Sequence, residues 1–437
     1  MTDLVFDFEW ADPLGARGAE LRATWARLAM KVDDRCPSRL LDQEVRTVRD
    51  SVYLPLYPLA EWIVSNWWRL LYEMESSERA KDPLYDRRHD LRWAREGYSL
   101  PPLSLKAVGD LLQLRWEPEV LSSHRVQFLE SGSAYVTLES AQRTLRSFIT
   151  AVVSRLSTSG VSGTFLQREW ELVGATAGEE AEFCIAAATL GLDPYDLDDS
   201  VAAAIVAVAE SIPASVRREF FNVANQSKLS QESRDVIAAI TTARGNNADL
   251  RKLRALRECV SPANRANGDA PWELGYTSAR DLRKALKIGV QPLRSLTELA
   301  EALRVDSGNF LSAVIDQPSG VHAYEAIVAT NRNDSPAFTV SRRHETAKRF
   351  QVCRGLYDFL SGHDDGPWLV TTGLSSRQKR NRAFAAEFLA PASGIRERLS
   401  SSIVSAEEVD ELAQHFGVSS DAVVHQLENH GIASVAW

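Results

Sequence analysis

At 437 residues the chain is long enough for two or three hydrophobic cores. Its composition, 44% apolar and 25% charged, is that of a globular protein, and no run approaches the ~20 apolar residues of a membrane-spanning helix. A net charge of −9 excludes a chain that coats nucleic acid by bulk charge, and the scattered Cys36, Cys184, Cys259 and Cys353 form no CxxC pair.

The opening MTDLVFDFEWADP places acids where a secretion signal carries basic residues, so a reducing, cytoplasmic setting with free thiols is expected. Residues 16–31 (ARGAELRATWARLAMK) space their apolar groups as a helix does. Val52–Pro58 reads as an extended edge segment, because Pro55 and Pro58 cannot donate ladder hydrogen bonds. The run LAEWIVSNWWRLLYEM that follows is helical in pattern, and its Trp62, Trp67 and Trp68 point to core packing rather than a binding surface. Residues 76–125 are polar and Pro-rich in places, with DPLYDRRHD reading as a loop; strand pattern falls at Leu112–Trp116 and Ser133–Leu138.

From about 135 to 290 helix follows helix. Glu179–Leu190 stops at Gly-Leu-Asp-Pro, and Asp199 or Ser200 caps an Ala-rich helix through Ala209. Further helices are expected at 214–225, 231–244 and 248–258. The acids Asp193, Asp196, Asp198 and Asp199 invite a calcium reading. An EF-hand loop begun at Asp193 would need its closing carboxylate at Ala204, however, so turn and cap duty is expected. ANRANGDA (263–270) reads as a linker.

Beyond the linker come PWELGYTSARDLRKALKI (271–288), LTELAEALRV (296–305), and alternating segments near 310–315 and 323–330. RFQVCRGLYDFL (349–360), AFAAEFLAP (383–391) and a closing pair of short helices complete the chain. Over roughly 271–437 this order resembles the ImmA/IrrE metallopeptidase family, with AFAAEFLAP carrying most of the likeness. The resemblance implies a C-terminal zincin-like domain with a small sheet. The class expected for the chain is therefore mainly α with α+β character, the N-terminal and middle regions being helical. The expected divisions are a mixed N-terminal domain at 1–130, a helical domain at 131–265, and a degenerate peptidase-like domain at 271–437 with a helix–turn–helix-like tail.

In active members the helix carries HExxH in a context like Arg-Phe-x-x-Ala-His-Glu-Leu-Gly-His. Its two His face the metal together, and the Glu polarises the zinc-bound water. Laid on that pattern from Arg349-Phe350, Arg354 and Asp358 stand at the two His, and Gly355 at the Glu. The family's third ligand is a Glu shortly before the FAA run, where this chain reads Arg377-Gln378-Lys379-Arg380-Asn381. The resemblance thus implies a degenerate site with no catalytic residues, no metal and no cofactor. Arg354 and Asp358, at i and i+4 on the flank of Ala347, Phe350 and Tyr357, are expected to be partly buried there, bonded to each other or to neighbouring charges. A competing register is His344-Glu345-Thr346-Ala347-Lys348, an HExxK. Zinc held there would use His344 and Glu345, and Lys348 would need a pKa far below its usual ~10.4.

Two basic runs, Arg251-Lys252-Arg254-Arg257 and Arg377-Lys379-Arg380-Arg382, read as solvated helix faces. Ala413-x-x-Phe416-Gly-Val-Ser419 resembles the turn of a helix–turn–helix, and Ser405-x-x-Glu408 forms a capping box. Residues 401–437 hold no Lys or Arg, so this tail is expected to close the domain rather than read DNA. The leading expectation is an inactive peptidase-like regulatory or interaction protein of bacterial type, with a protein partner and no membrane association. Its setting would be stress, mobile-element or anti-phage circuits. One alternative is an active zinc metallopeptidase built on 344–348. The other, less favoured, is a nucleic-acid-binding regulator using Arg251, Arg254, Arg280, Arg283 and Lys284 in 248–287.

Overall fold

The computed structural model describes residues 3–13, 15–75, 83–120, 125–260, 270–317, 324–342, 344–362 and 366–436. The linker at 263–269 lies outside these residues. The fold is mixed α+β, with five small sheets among the described residues. The chain divides into two compact units, Met1–Ala202 and Ala203–Arg265 together with Ala270–Trp437.

The first unit holds β1 (Leu4–Trp10), α1 (Ala19–Ala23), β2 (Trp25–Val32), β3 (Leu40–Asp42), β4 (Thr47–Arg49) and β5 (Val52–Pro55). Then come α2 (Tyr57–Ser65), α3 (Trp67–Tyr72), α4 (Pro83–His89), β6 (Leu103–Val108), β7 (Leu111–Trp116), β8 (Val126–Phe128) and β9 (Gly132–Thr137). Three long helices close it: α5 (Leu138–Thr158), α6 (Phe165–Ala175) and α7 (Gly178–Thr189). Its strands form the antiparallel sheets β1-β2-β5, β4-β3-β8 and β6-β7-β9.

The helical N-terminal region expected from the sequence is therefore corrected. Residues 16–31 give one short helix and then β2, which is buried at six of its eight positions and so shows no alternation for the eye to catch. DPLYDRRHD is also corrected, since it supplies α4 rather than a loop, with Pro83 at the first position, where a missing N–H costs nothing. β5 is an edge strand with Pro55 opposite Trp25, but the extended segment expected through Pro58 ends at Pro55, and Pro58 falls in the first turn of α2. The tryptophans serve packing: Trp67 and Trp68 are buried, and the Trp67 ring meets Trp170 edge-on at 5.4 Å. Asp193 takes the Tyr195 N–H and pairs with Arg69, which is turn duty.

The second unit takes most of α8 (Asp199–Ser211), then α9 (Ala214–Val223), α10 (Leu229–Gly245) and a 3-10 segment at Arg251–Cys259 where a helix was expected. It continues with α11 (Pro271–Leu286), α12 (Leu296–Ala302), α13 (Ser307–Ala313), β10 (Val314–Asp316), β11 (Ala326–Thr330) and β12 (Pro336–Val340). The alternation expected near 310–315 is thus mostly the end of α13. α14 (Glu345–Ser361), β13 (Trp368–Val370), α15 (Ser376–Leu389) and α16 (Ala392–Arg396) follow. The chain closes with β14 (Ile403–Ser405), α17 (Ala406–Phe416), α18 (Ser420–Asn429) and β15 (Ser434–Ala436).

The central sheet runs β10-β12-β11-β13, with β10 parallel to β12 and the other pairs antiparallel. Helices cover both its faces. Val328 and Phe338, paired across β11 and β12, belong to the core under α14, while the next pair, Ala329 and Ala337, packs with Ala243 of α10. Small side chains on that second face let α10 lie close. α11 packs along α15 with Gly275 against the Arg380 carbonyl, a gap in which a Cβ would stand 2.2 Å from the oxygen.

Candidate functional site

Helix α14 is buried from Gln351 through Leu360, including Arg354 and Asp358 at 2% exposure each. The Arg354 guanidinium donates from Nε to Asn381 Oδ1 at 2.9 Å, and from Nη2 to Gln378 Oε1 and the Thr371 carbonyl, both at 2.7 Å. Its Nη1 makes an ion pair with Glu325. Asp358 accepts from Arg377 Nη1 at 3.1 Å and from Asn381 Nδ2 at 3.2 Å. Arg354 and Asp358 therefore bond neighbouring charges, Glu325 and Arg377, rather than each other, the second of the two arrangements expected for them. Their partners come from neighbouring elements, and Asn381 stands between, accepting from Arg354 and donating to Asp358.

Helix α15 brings Arg377, Gln378 and Asn381 among these partners. Ser375 caps it, its hydroxyl accepting from the Gln378 N–H at 3.2 Å, and this fixes Arg377, Gln378 and Asn381 over α14. The stretch where the family resemblance would place a third ligand thus does meet the two α14 positions, but with the amides of Gln378 and Asn381 and the guanidinium of Arg377. Glu219 of α9 completes the cluster, accepting from Ser375 at 2.5 Å, from Gln378 Nε2 at 3.1 Å and from Arg377 Nε at 3.4 Å. Arg382 donates to the Thr371 and Gly373 carbonyls. No sequence pattern singles out Glu219 or Glu325, and the solvated face expected for Arg377-Lys379-Arg380-Arg382 is corrected, since Arg377 and Arg382 turn into this cluster.

The electrostatics follow from burial. Desolvation pulls the Arg354 guanidinium below its ordinary range, and Glu325 offsets part of that. Burial raises the Asp358 carboxyl, against the opposing pull of Arg377. Arg382 is lowered to about 10 by burial and by the nearby Arg354 cation. The Cys353 thiol, fully enclosed, is pushed up to about 12, so it is no nucleophile.

The donor set does not fit a divalent cation. Of its three carboxylates, Glu325 is paired with Arg354 and both Glu219 and Asp358 with Arg377, the other arms are amides and guanidinium groups, and an arginine gives up its proton to no metal near neutral pH. Gly355 faces the sheet: a Cβ there would stand 2.3 Å from Val328 Cγ2 and 3.3 Å from Phe338 Cδ1. A glutamate at that position has no room. Among the described residues no group of three or more His, Cys, Asp and Glu side chains could hold a metal ion.

The competing 344–348 register is dispersed. His344 is exposed before the first turn of α14, Glu345 accepts from the Leu296 N–H at 3.1 Å, and Lys348 pairs with Asp316 at 2.7 Å. His363, the next histidine along the chain from that register, lies outside the described residues. The five basic residues considered for nucleic acid have separate fates as well. Arg251 pairs with Asp249, Arg254 with Asp334 and Arg280 with Glu387, while Arg283 is buried on three carbonyls and Lys284 is exposed.

Two residues of the resembling motifs hold the scaffold. Arg349, 1% exposed, donates to the carbonyls of Arg294 and Gly417, so it ties α14 to the turn between α17 and α18. Glu387, within AFAAEFLAP, accepts from Arg280 Nε at 2.9 Å, Gln426 Nε2 at 2.8 Å and the Ala392 N–H at 3.2 Å. Burial alone would raise its carboxyl, but His430 at 3.3 Å and hydrogen bonds from Arg280 and Gln426 bring it down to about 2. The tail itself packs: Val409, Leu412, Phe416, Val423 and Leu427 are buried, and Ser405 with Glu408 forms the capping box.

The family described as IrrE N-terminal-like domain, Peptidase_M78, matches residues 338–428, from β12 through α18. The C-terminal region is thus similar to a metallopeptidase-family domain. No curated protein and no solved structure matches the chain. Among the described residues no helix is long and apolar enough to cross a membrane.

Proposed function

We propose that the IrrE-like region is a non-cleaving domain in which an arginine-centred polar network takes the place of the metal, and that the chain acts as a regulatory or interaction subunit with a protein partner. The observation that carries this is Arg354: its guanidinium is buried at a metal-ligand position of the family pattern and is saturated by Glu325, Asn381, Gln378 and Thr371. A cation fixed there repels a second one, and its removal would strand several buried acceptors. The setting we propose, bacterial stress, mobile-element or anti-phage circuits, rests only on the company that active relatives keep.

Metal analysis tests this reading. Protein incubated with zinc and then dialysed should retain far less than one equivalent, and His344→Ala should leave that amount unchanged. One tightly held equivalent, or a loss of zinc with His344→Ala, would overturn it in favour of an active metal site.

A further inference from the structure

Away from the Arg354 network, the end of α11, the Gly289–Val290 turn, the end of α15 and α16 enclose an open cavity of about 620 Å³. Arg280, Arg283, Lys284 and Arg396 line it, with Glu387 as its one carboxylate and His430 at its side. That carboxylate is already committed to Arg280, Gln426 and Ala392. Arg283, 4% exposed, donates to the carbonyls of Gly289, Phe388 and Gln291 and lies over the Phe388 ring at 5.9 Å. Lys284 and Arg396 are exposed and form no ion pair among the described residues. A chain of net charge −9 therefore concentrates cations in one concave place without the anions to match them.

We propose that this cavity binds a single phosphoryl group, either free phosphate or a phosphorylated side chain. A compact dianion draws on the unspent N–H groups of Lys284 and Arg396 and on the field of the buried Arg283, which carbonyls solvate but do not neutralise. An extended polyanion does not fit. The neighbouring tail carries Glu407, Glu408, Asp410, Glu411, Asp421 and Glu428 and no Lys or Arg, and it repels phosphates beyond the first. Arg251 and Arg254, which a nucleic-acid track would recruit, are paired with Asp249 and Asp334.

The test is calorimetric titration of the full chain with inorganic phosphate, then with phosphoserine, in chloride buffers of matched ionic strength. Saturable binding of phosphate is expected. Lys284→Ala with Arg396→Ala should weaken it about tenfold or more, the effect of losing charge-assisted contacts. Both side chains are exposed, so the fold should survive, and the charge reversal Arg396→Glu alone should act in the same direction. Tighter binding of phosphoserine than of phosphate would mark a modified side chain as the source; the reverse order would mark the free ion. The proposal is overturned if phosphate binds no better than chloride, or if the double variant keeps the affinity. A short DNA duplex that binds more tightly than either probe, with a steep salt dependence, would overturn it too.

Discussion

The two ends of α15 make opposite uses of buried charge. At its start, Arg377, Gln378 and Asn381 join Arg354, Asp358, Glu219 and Glu325 in a network where nearly every polar arm finds a partner. At its far end Glu387 is a lone carboxylate shared among α11, α16 and α18, with cations in excess around it. The family model covers both ends of the helix. Arg349 on α14 and Glu387 on α15 hold elements together, each through partners on several neighbouring segments.

Three substitutions press on this contrast. The largest effect is expected at the start of α15. Arg354→Leu strands Glu325, Asn381 and Gln378 and should cost about 3–5 kcal/mol, read as a fall in the urea midpoint. Adding Asp358→Met should deepen the loss, because Arg377 then loses its carboxylate, whereas adding Glu325→Leu to Arg354→Leu should restore part of it. A double Arg354→Leu/Asp358→Met variant more stable than either single change would show that the two act as one pair and would break the network description.

Next comes the far end. The folded Glu387 carboxyl titrates at about 2, below the ordinary 4.5, so its stabilisation is fully present above about 4.5 and is lost as pH falls toward 2. The shift corresponds to about 3 kcal/mol. Glu387→Gln should lower stability at pH 7 and flatten the loss between pH 4.5 and 2; an unchanged acid profile would remove Glu387 from the account. The smallest effect belongs to the sheet contact. Gly355→Ala pushes a methyl group into Val328 and should cost about 1–3 kcal/mol by overpacking. A neutral result would show that α14 can lift off the sheet.

Legibility in the sequence differed between the units for physical reasons. The C-terminal helices are amphipathic and punctuated by caps, as at Ser405 and Gly417, so pattern locates them within a few residues. In the first unit the strands are short, and β2 is buried on both faces, so neither alternation nor length separates it from a helix. Pro83 misleads in the same way, since a proline marks a loop or a first helical turn equally well. At the candidate site the resemblance, laid on from Arg349-Phe350, is what points to Arg354, Gly355 and Asp358. It does not point to their partners: Glu219 and Glu325 lie outside the motif, and the i, i+4 rule favours a local pair that tertiary contacts replace.

The seat of Glu219 has a practical corollary for dissecting the molecule. The matched segment begins at 338 and the composition break lies near 263–270, yet a carboxylate from α9 sits among the α15 side chains. Around Arg354, Arg377 and Arg382 the interior holds three guanidinium groups and three carboxylates, from Glu219, Glu325 and Asp358. A fragment started at Pro271 would carry all three cations and only two of the anions. The inheritable piece, the length of chain that can be moved intact into another protein, therefore starts upstream of α9, some way before the resemblance does.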